Sequence, residues 1–552
     1  MIPEPPSARR PLPAALLTFV ALAAGGCLSA DEYRVQADDE VYAIIAERRA
    51  EFVADPEAFT IDPDGESLAW RYMSGEIPLS EPLGPIGLVE CIRLSAATDT
   101  EVQSRKESLY LTALDLTFAR YLFGVQPNAG ASATLTGQNE GLEATSAAAS
   151  VSAGFSRVLG SGAQIVGNVG LSIFRGLLSS EDWDPASSIG FSITQPLLSG
   201  FGSAITLEPL TQAERNVVYE VRSFERFRRT FAFSIASDYF RVLQAYDTLE
   251  NAEANLASLV LLSERNVALA ESGRLSDTQV DQARQDRLRA ETSVIDSRQT
   301  LEGLLDNFKD RLGLPLEVEL SLDRTELERV VESGIEDLGH TADEVIELAL
   351  TRRFDYRNAV DRIQDSERDV MIAADDLRGS LGLDIDVNAT SQPGQPLAYD
   401  KQGFFWSVGL DLDLPIDRLS ERNSYRGALV SLQAAERSAA DLAISIELSL
   451  RASLRELVSR KQAYEIQKNS VALAERRVDS TTLNFEAGRV ETRDLLEARD
   501  DLVVARDALT RALVDYHLAT LALYRDIEAL VVDEDSLRPD DEALEALTEN
   551  DE

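Results

Sequence analysis

The chain has 552 residues, with 53 basic against 95 acidic side chains and a formal net charge of −42. That balance excludes a nucleic-acid partner, which needs a basic face. Two histidines (His340 and His517, in separate elements), two cysteines and three methionines leave no Cys/His metal cluster and no soft lining for copper. No phosphate loop is present either, so neither an enzyme nor a cofactor is expected.

Residues 1–26 read as an export signal, with Arg9 and Arg10 ahead of an apolar stretch from Leu12 to Ala24. That stretch is too short to span a bilayer. It ends Ala24-Gly25-Gly26-Cys27, similar to a bacterial lipobox in which Cys27 is the lipidated residue. Ala24 stands where such a box usually has Leu, and plain cleavage near Gly26 is the alternative. With Cys27 lipidated, Cys91 has no intrachain partner, and on the apolar side of a helix it reads as a small core residue. No later apolar run reaches 18 residues, so a membrane-embedded part would have to be a β-barrel. Residues 27–87 are acidic and Pro-containing and are expected to form an extension with little regular structure.

Residues 88–122 read as one helix. From about 126 to 198 the period changes to two. Ile165, Val169, Leu171 and Ile173 share one face, and Ile189, Phe191 and Ile193 alternate with Gly190, Ser192 and Thr194. Helical patterns follow over 210–270 and 277–313, a linker over 321–340 and a further helix over 341–379. Strands are then expected at about 381–391 and 403–414. Leu383, Ile385, Val387 and Ala389 alternate with Asp384, Asp386, Asn388 and Thr390, and Trp406, Val408, Leu410, Leu412 and Leu414 with Ser407, Gly409, Asp411 and Asp413. A soluble sandwich also alternates. Acids at every second position are costly in a dry core but comfortable against a watery lumen, which favours a membrane barrel. Phe404, Phe405 and Trp406 suit an aromatic girdle at its rim.

Helices over 421–486 and 491–527 complete the ordered part. Residues 531–552 carry ten acids and one Arg and read as a disordered tail, with a docking peptide as the alternative. The long patterns at 210–270 and 421–486 would each reach about 90–100 Å, twice the length of their neighbours, which suits a tube of helices. Leu495, Leu502, Leu509, Tyr516 and Leu523 recur every seven residues, each of the first four followed three positions on by Ala498, Ala505, Ala512 or Ala519. Ile235, Val242, Leu249 and Leu256 keep the same spacing. Such large–small seams let helices pack knobs into holes, in a plain coiled coil as well as in a channel.

The chain is an internal duplication. Glu271-Ser272-Gly273-Arg274 with Ala283-Arg284 returns as Glu486-Ala487-Gly488-Arg489 with Ala498-Arg499, offset by 215 residues. At the start of the repeats, Glu90-Cys91-Ile92-Arg93-Leu94 matches Glu344-Val345-Ile346-Glu347-Leu348 at an offset of 254. The first half therefore carries 39 extra residues, the difference between 254 and 215, placed between about 125 and 210. One added hairpin, 148–159 with 163–174 around Leu159-Gly160-Ser161-Gly162, accounts for them and gives six strands per chain instead of four. An extension above the barrel is the alternative.

Helix, strand, strand, long helix, Gly-tipped turn and helix, in that order twice, resembles the TolC-like outer-membrane efflux family over about residues 88–530. Gln195-Pro196-Leu197-Leu198 with Gly200 and Gly202, Leu312-Gly313-Leu314-Pro315, and both Gly tips carry the likeness. The repeats are then 88–320 and 341–530. The resemblance implies a duplicated, mainly α fold with a membrane β-barrel. Long antiparallel coiled-coil helices would form a periplasmic α-barrel, and strands from three protomers one barrel in outer-membrane lipid. It implies a homotrimer in the outer membrane of a Gram-negative-type bacterium, with most of its mass in the periplasm. The channel would conduct passively, docked to a periplasmic adaptor (membrane fusion) protein and an inner-membrane transporter of an efflux or type I secretion system, with no cofactor. A non-conducting periplasmic or surface coiled-coil lipoprotein is the alternative.

The resemblance assigns adaptor docking to the tips, Gly273, Arg274, Leu275 and Ser276 with Gly488, Arg489 and Val490. Gly273 and Gly488 are also turn glycines in their own right, and Ser276 with Gln279 fits a helix-capping pair. Asp494 and Glu497, one helical turn apart, match the acids that ring the family's periplasmic constriction; equally, they complement a helix dipole. Where the family closes its tip with an Arg–acid pair, this chain has Val490 and Gln279. A closed state must use other contacts, for which Arg274, Arg489 and Arg493 are nearby candidates.

Overall fold

The computed structural model describes residues 29–53, 58–62, 68–137, 144–176, 183–335, 341–392, 394–414, 416–532 and 537–540. The export signal, Cys27, His340 and residues 541–552 of the tail lie outside them. In chain order the elements are α1 (Ala30–Arg49), α2 (Leu68–Met73), β1 (Leu83–Ile86), α3 (Leu88–Thr98), α4 (Thr100–Phe123), β2 (Gln126–Gly137), β3 (Ala144–Val158), β4 (Gln164–Gly176), β5 (Asp184–Pro196), α5 (Ser203–Thr206), α6 (Glu208–Glu271) and α7 (Asp277–Arg311). They continue with β6 (Leu320–Leu322), α8 (Thr325–Ser333), α9 (Ala342–Arg352), α10 (Phe354–Asp375), β7 (Ser380–Gln392), β8 (Gln395–Asp413), α11 (Leu419–Glu486), α12 (Thr492–Asp526), β9 (Leu530–Val532) and β10 (Leu537–Pro539). Two compact units result: residues up to 60 with 108–221 and 361–436, and residues 61–107 with 222–360 and 437 onward.

The first unit is built around a six-stranded sheet in the order β2-β3-β4-β5-β7-β8, antiparallel throughout. Register sorts its side chains cleanly, because alternate residues of a strand point to opposite faces. Ile165, Ile193, Ile385 and Val408 form one cross-strand row, with Leu383 and Leu410 beside it on the same face. Trp406, Val408, Leu410 and Leu412 are each more than half exposed in the single chain. On the opposite face Thr194 donates to Asp384 at 2.8 Å and Ser407 to Asp386 at 3.5 Å. The aromatic triplet splits between the faces. Phe404 and Trp406 pair with Ala389 and Val387 on the apolar side, while Phe405 pairs with Asn388 among the polar residues.

The turn 159–162 lies at the helix-bearing end of the sheet. The Ser161 hydroxyl donates to Gln195 Oε1 (3.0 Å), Gln195 Nε2 donates to the Ser161 carbonyl (3.0 Å), and the Gly202 N–H to the same carbonyl (3.2 Å). A Cβ on Gly162 (φ 89°) would stand 2.6 Å from the Gly200 carbonyl. The extra hairpin is therefore part of the sheet's wall, between β2 and β5, and not an extension above it.

The N-terminal extension corrects an expectation. Far from lacking regular structure, it contains the 20-residue α1, started by a capping box in which Ser29 Oγ accepts from the Glu32 N–H and Glu32 Oε2 from the Ser29 N–H. Its many acids obscured a narrow apolar stripe, Val41, Ile44 and Ile45, that is fully or almost fully buried. Tyr42 stands edge-on to Tyr110 of α4 at 5.9 Å, and the Tyr110 hydroxyl donates to Asp38 (2.7 Å).

In the second unit β1 pairs in parallel with β6, so the extension and the inter-repeat linker meet as strands. The linker also holds α8. Each repeat's first helix, expected to be continuous, is broken, at Asp99 and at Arg353. These positions are 254 apart, the offset of the repeat. Asp99 Oδ1 accepts the Glu101 and Val102 amides (2.7 and 3.2 Å), a local cap that competes with helix continuation. The tail likewise begins folded, with β9 and β10 antiparallel and the Asp540 carboxylate on Arg352. The seams pack as expected, with Leu495, Ala498, Ala505, Tyr516 and Leu523 all buried. Cys91 is fully buried, and burial pushes its thiol well above the usual range.

The two repeats end their last helices alike, with different chemistry. Gly313 (φ 67°) follows α7, with the Leu314 N–H on the Lys309 carbonyl (2.9 Å). At the equivalent place, 215 residues on, stands Glu528 at φ 57°, with the Ala529 N–H on the Tyr524 carbonyl (2.8 Å). A side chain in that left-handed conformation costs about 1–2 kcal/mol. Glu528 is 3% exposed and its carboxylate is held by Arg226 and Arg229; Arg229 also donates to the Leu530 carbonyl (3.0 Å).

Glu528→Ala leaves two partly buried guanidiniums without their shared anion and should cost about 3–5 kcal/mol. Glu528→Gly should be the milder change by about 1 kcal/mol, because it releases the backbone strain. Thermal melting of the purified protein orders the three chains. His517, half-buried edge-on to Phe240 at 4.8 Å, has its pKa lowered to about 4 by desolvation. Between an unfolded pKa of about 6.5 and that value, the unfolded chain binds a proton that the folded one refuses. Stability is thus lost as pH falls from about 6.5 to about 4, by about 3 kcal/mol in all. His517→Gln should melt with a correspondingly shallower pH dependence.

Candidate functional site at the helical hairpin tips

Both tips are built from one backbone motif. After α6, Gly273 takes φ 69°, its N–H bonds to Ala270 (2.8 Å) and the Arg274 N–H to Leu269 (2.9 Å). After α11, Gly488 takes φ 68°, its N–H bonds to Phe485 (3.0 Å) and the Arg489 N–H to Asn484 (2.9 Å). Two reverse bonds onto the last helical turn with a left-handed glycine between them make a Schellman stop, which an L side chain would strain.

A small core joins the hairpins just behind the tips. Leu259 and Leu262 of α6, Ala290 of α7, Phe485 of α11 and Leu495 and Leu496 of α12 are buried together, with Leu256 and Val490 against them. Beside it Asn266 Nδ2 donates to Thr492 Oγ1 at 3.1 Å, and both residues are fully buried. Arg265 reaches Glu486 (3.3 Å) and lies 5.4 Å from the Phe485 ring centre. The exposed ion pair is worth about 0–1 kcal/mol. Stranding the buried amide costs about 1–3 kcal/mol, so the polar joint rests mainly on Asn266 and Thr492.

The second repeat, residues 345–527, matches the model of the outer membrane efflux protein family. About 80% of the chain resembles solved outer-membrane channels. CusC matches at 13% identity and TM-score 0.56, over 80% of this chain and 91% of that one. The open state of the Neisseria gonorrhoeae MtrE outer membrane channel matches at 13% and 0.56, over 80% and 88%. The outer membrane protein VceC of Vibrio cholerae matches at 14% and 0.54, over 80% and 95%. Comparison with curated protein sequences finds no significant match.

The fold is TolC-like. The matched family is one of passive channels and not of enzymes.

Within this TolC-like frame the residues singled out from sequence separate into distinct groups. Gly273, Arg274, Ser276, Gly488 and Arg489 are exposed at the apices, and Leu275 is half-buried. Val490 instead packs on the tip core. Asp494 Oδ2 accepts the Glu491 N–H (3.1 Å), so it helps cap α12. Glu497 pairs with Arg477 of α11 (3.2 Å), which also holds Asp501. The Ser276–Gln279 side-chain cap is not formed; only the backbone bond between them is made, at 3.0 Å. Arg274, Arg489 and Arg493 are exposed and enter no ion pair among the described residues of one chain. The joint uses Arg265, Asn266 and Thr492 instead. Their signal was faint: a polar Asn in an apolar helical stripe, facing a Thr across 226 residues.

Thr492→Val should loosen the joint more than Arg265→Ala. Tryptic cutting at Arg274 and Arg489 in the folded protein should rise about 5- to 100-fold for the former and little for the latter. Equal rates would show that the exposed ion pair and the buried bond count alike.

Proposed function

We propose that the chain is the outer-membrane channel of a tripartite efflux or type I secretion system, conducting passively from periplasm to exterior. The observation that carries this reading is the two-faced sheet: an exposed face of Leu, Ile, Val and Trp, and an opposite face of Asp, Asn, Ser and Gly. In lipid that division fits a barrel wall around water, and an open sheet must close because its edge amides find no water there. Among the described residues no helix is long and apolar enough to cross a membrane. Three copies would share one barrel, held by the lipid chain on Cys27 and embedded in outer-membrane lipid. The Gly273 and Gly488 apices would meet the adaptor, and the inner-membrane transporter would supply the energy.

Asp494 and Glu497 are the proposed constriction ring, with three copies of each around the axis. Their bonds to the Glu491 amide and to Arg477 support a second duty for each, bracing α12 at the mouth it surrounds.

The protein should require detergent for extraction and run as a heat-modifiable trimer; a soluble monomer would end the channel reading. In planar bilayers Asp494→Ala with Glu497→Ala should lower cation preference, and an unchanged preference removes the ring. Mass spectrometry of the mature N-terminus tests Cys27, with a diacylglycerol-modified cysteine as the expected result.

A further inference from the structure

We infer that the β3–β4 hairpin widens the bore, so that three copies close an 18-stranded barrel suited to bulky hydrophilic solutes. The inference rests on the three-copy channel reading above.

The strand count follows from register. The two repeats contribute unequally, four strands from the first and two from the second, all in one unbroken antiparallel ladder. The added hairpin is paired on both sides over all but the last two residues of each strand, Gln126↔Ser156 through Gly137↔Ala144 on one and Gln164↔Thr194 through Phe174↔Asp184 on the other. Its inner turn is bonded to Gln195 and Gly202 and packs close against Gly200 at the sheet's helix end. It is therefore a full-height section of wall.

The ladder stops at β2 on one side and β8 on the other. β2 leads away from the helix end and β8 returns to it, so the β8 edge of one copy meets the β2 edge of the next in antiparallel sense. That pairing repeats around a ring without a mismatch, and it gives the edge amides the partners they need in lipid. With six strands from each of three copies, the backbone-to-backbone diameter is roughly 36 Å at a tilt near 40°. Without the hairpin, twelve strands would give roughly 24 Å.

The lining keeps that width open. Asn128, Gly154, Asn168, Gly190 and Asn388 form one continuous row across five strands of the polar face, which ends on β8 at Phe405. A Cβ on Gly190 would stand 2.2 Å from Asn168 Oδ1 and 2.8 Å from Asn388 Oδ1, so these amides lie flat over the glycine and not out into the bore. Ser and Gly dominate the neighbouring rows, with Ser132 bonded to Ser150 at 2.8 Å. No Lys or Arg occupies a paired position on this face. Asp384, Asp386, Asp411 and Asp413 on β7 and β8 make that face acidic. A thin, hydrogen-bonding, acidic wall passes hydrated cargo by size and gives little purchase to small apolar molecules.

Two measurements on the full-length protein test this. Cysteines placed in pairs, at Asn128, Gly130 or Ser132 of β2 and at Ser407, Gly409 or Asp411 of β8, should yield covalent dimers and trimers only when both edges carry one. A β2–β8 disulfide within a monomer would overturn the closure. In planar bilayers, polyethylene glycols of graded size are added on the side to which the strand loops open. The largest that still lowers conductance should fall in diameter by at least about a third when residues 144–176 are deleted, since the same side-chain lining is subtracted from both backbone diameters. An unchanged cut-off in a conducting deletion trimer overturns the inference and leaves the channel reading intact. Should the deletion not assemble, the parent decides: exclusion of polymers at the twelve-strand limit overturns the inference, and admission of wider ones supports it. Crosslinked trimers that do not conduct would end the channel reading and leave the closure standing.

Discussion

Helices of 64 and 68 residues have to be stopped and reversed, and the 35-residue helices that return from them have to be ended; in this chain one backbone device, used four times, does both. A residue in the left-handed region follows the last turn, and two amides fold back onto the helix's final carbonyls. Gly273, Gly488 and Gly313 adopt this conformation at little steric cost, since they have no Cβ. Glu528 adopts it with a side chain present, and Arg226 and Arg229 hold the carboxylate that results. Every helix pairing in the second unit depends on where those reversals fall, because the reversal sets which residues of the returning helix lie opposite the outgoing one.

Duplication explains the position of these stops but not their chemistry. Offsets of 215 and 254 residues carry the tips, the last helix ends and the breaks at Asp99 and Arg353 into register. At two of the matched positions the halves have solved the local problem separately, glycine against a clamped glutamate and an Asp cap against an Arg–Asp pair, while the tips keep the same glycine followed by an exposed Arg. Backbone geometry is shared, and the polar groups that hold it are not.

Much of the architecture was legible because it is periodic. Alternation over 383–390 and 406–414 located β7 and β8 and assigned their faces, and the seven-residue spacing from Leu495 to Leu523 gave the buried seam of α12. Even the added hairpin was legible, from the Leu159–Gly162 turn and the unequal offsets. The helix α1 was missed because charge outweighed its short apolar stripe. The shift in β8 between Ala389 and Ser391 of its partner also escaped, as did the polar side taken by Phe405, since a run of three aromatics reads as one patch. At the tip the sequence points to the arginines nearest the glycines, whereas the structure uses Arg265 and Asn266, two turns back along α6.

What the sequence by itself determined is whatever repeats: the duplication, the element order, the two faces of each strand and the glycine at each tip. Periodicity is a property of the chain and survives without coordinates. Tertiary structure alone decided which distant groups meet: Asn266 with Thr492, Glu528 with two arginines, Ser161 with Gln195. These partners are separated by up to 302 residues, and no local pattern marks them. A buried polar group takes whatever partner the packing brings within about 3 Å, so the pairing is written in the fold and not in the spacing.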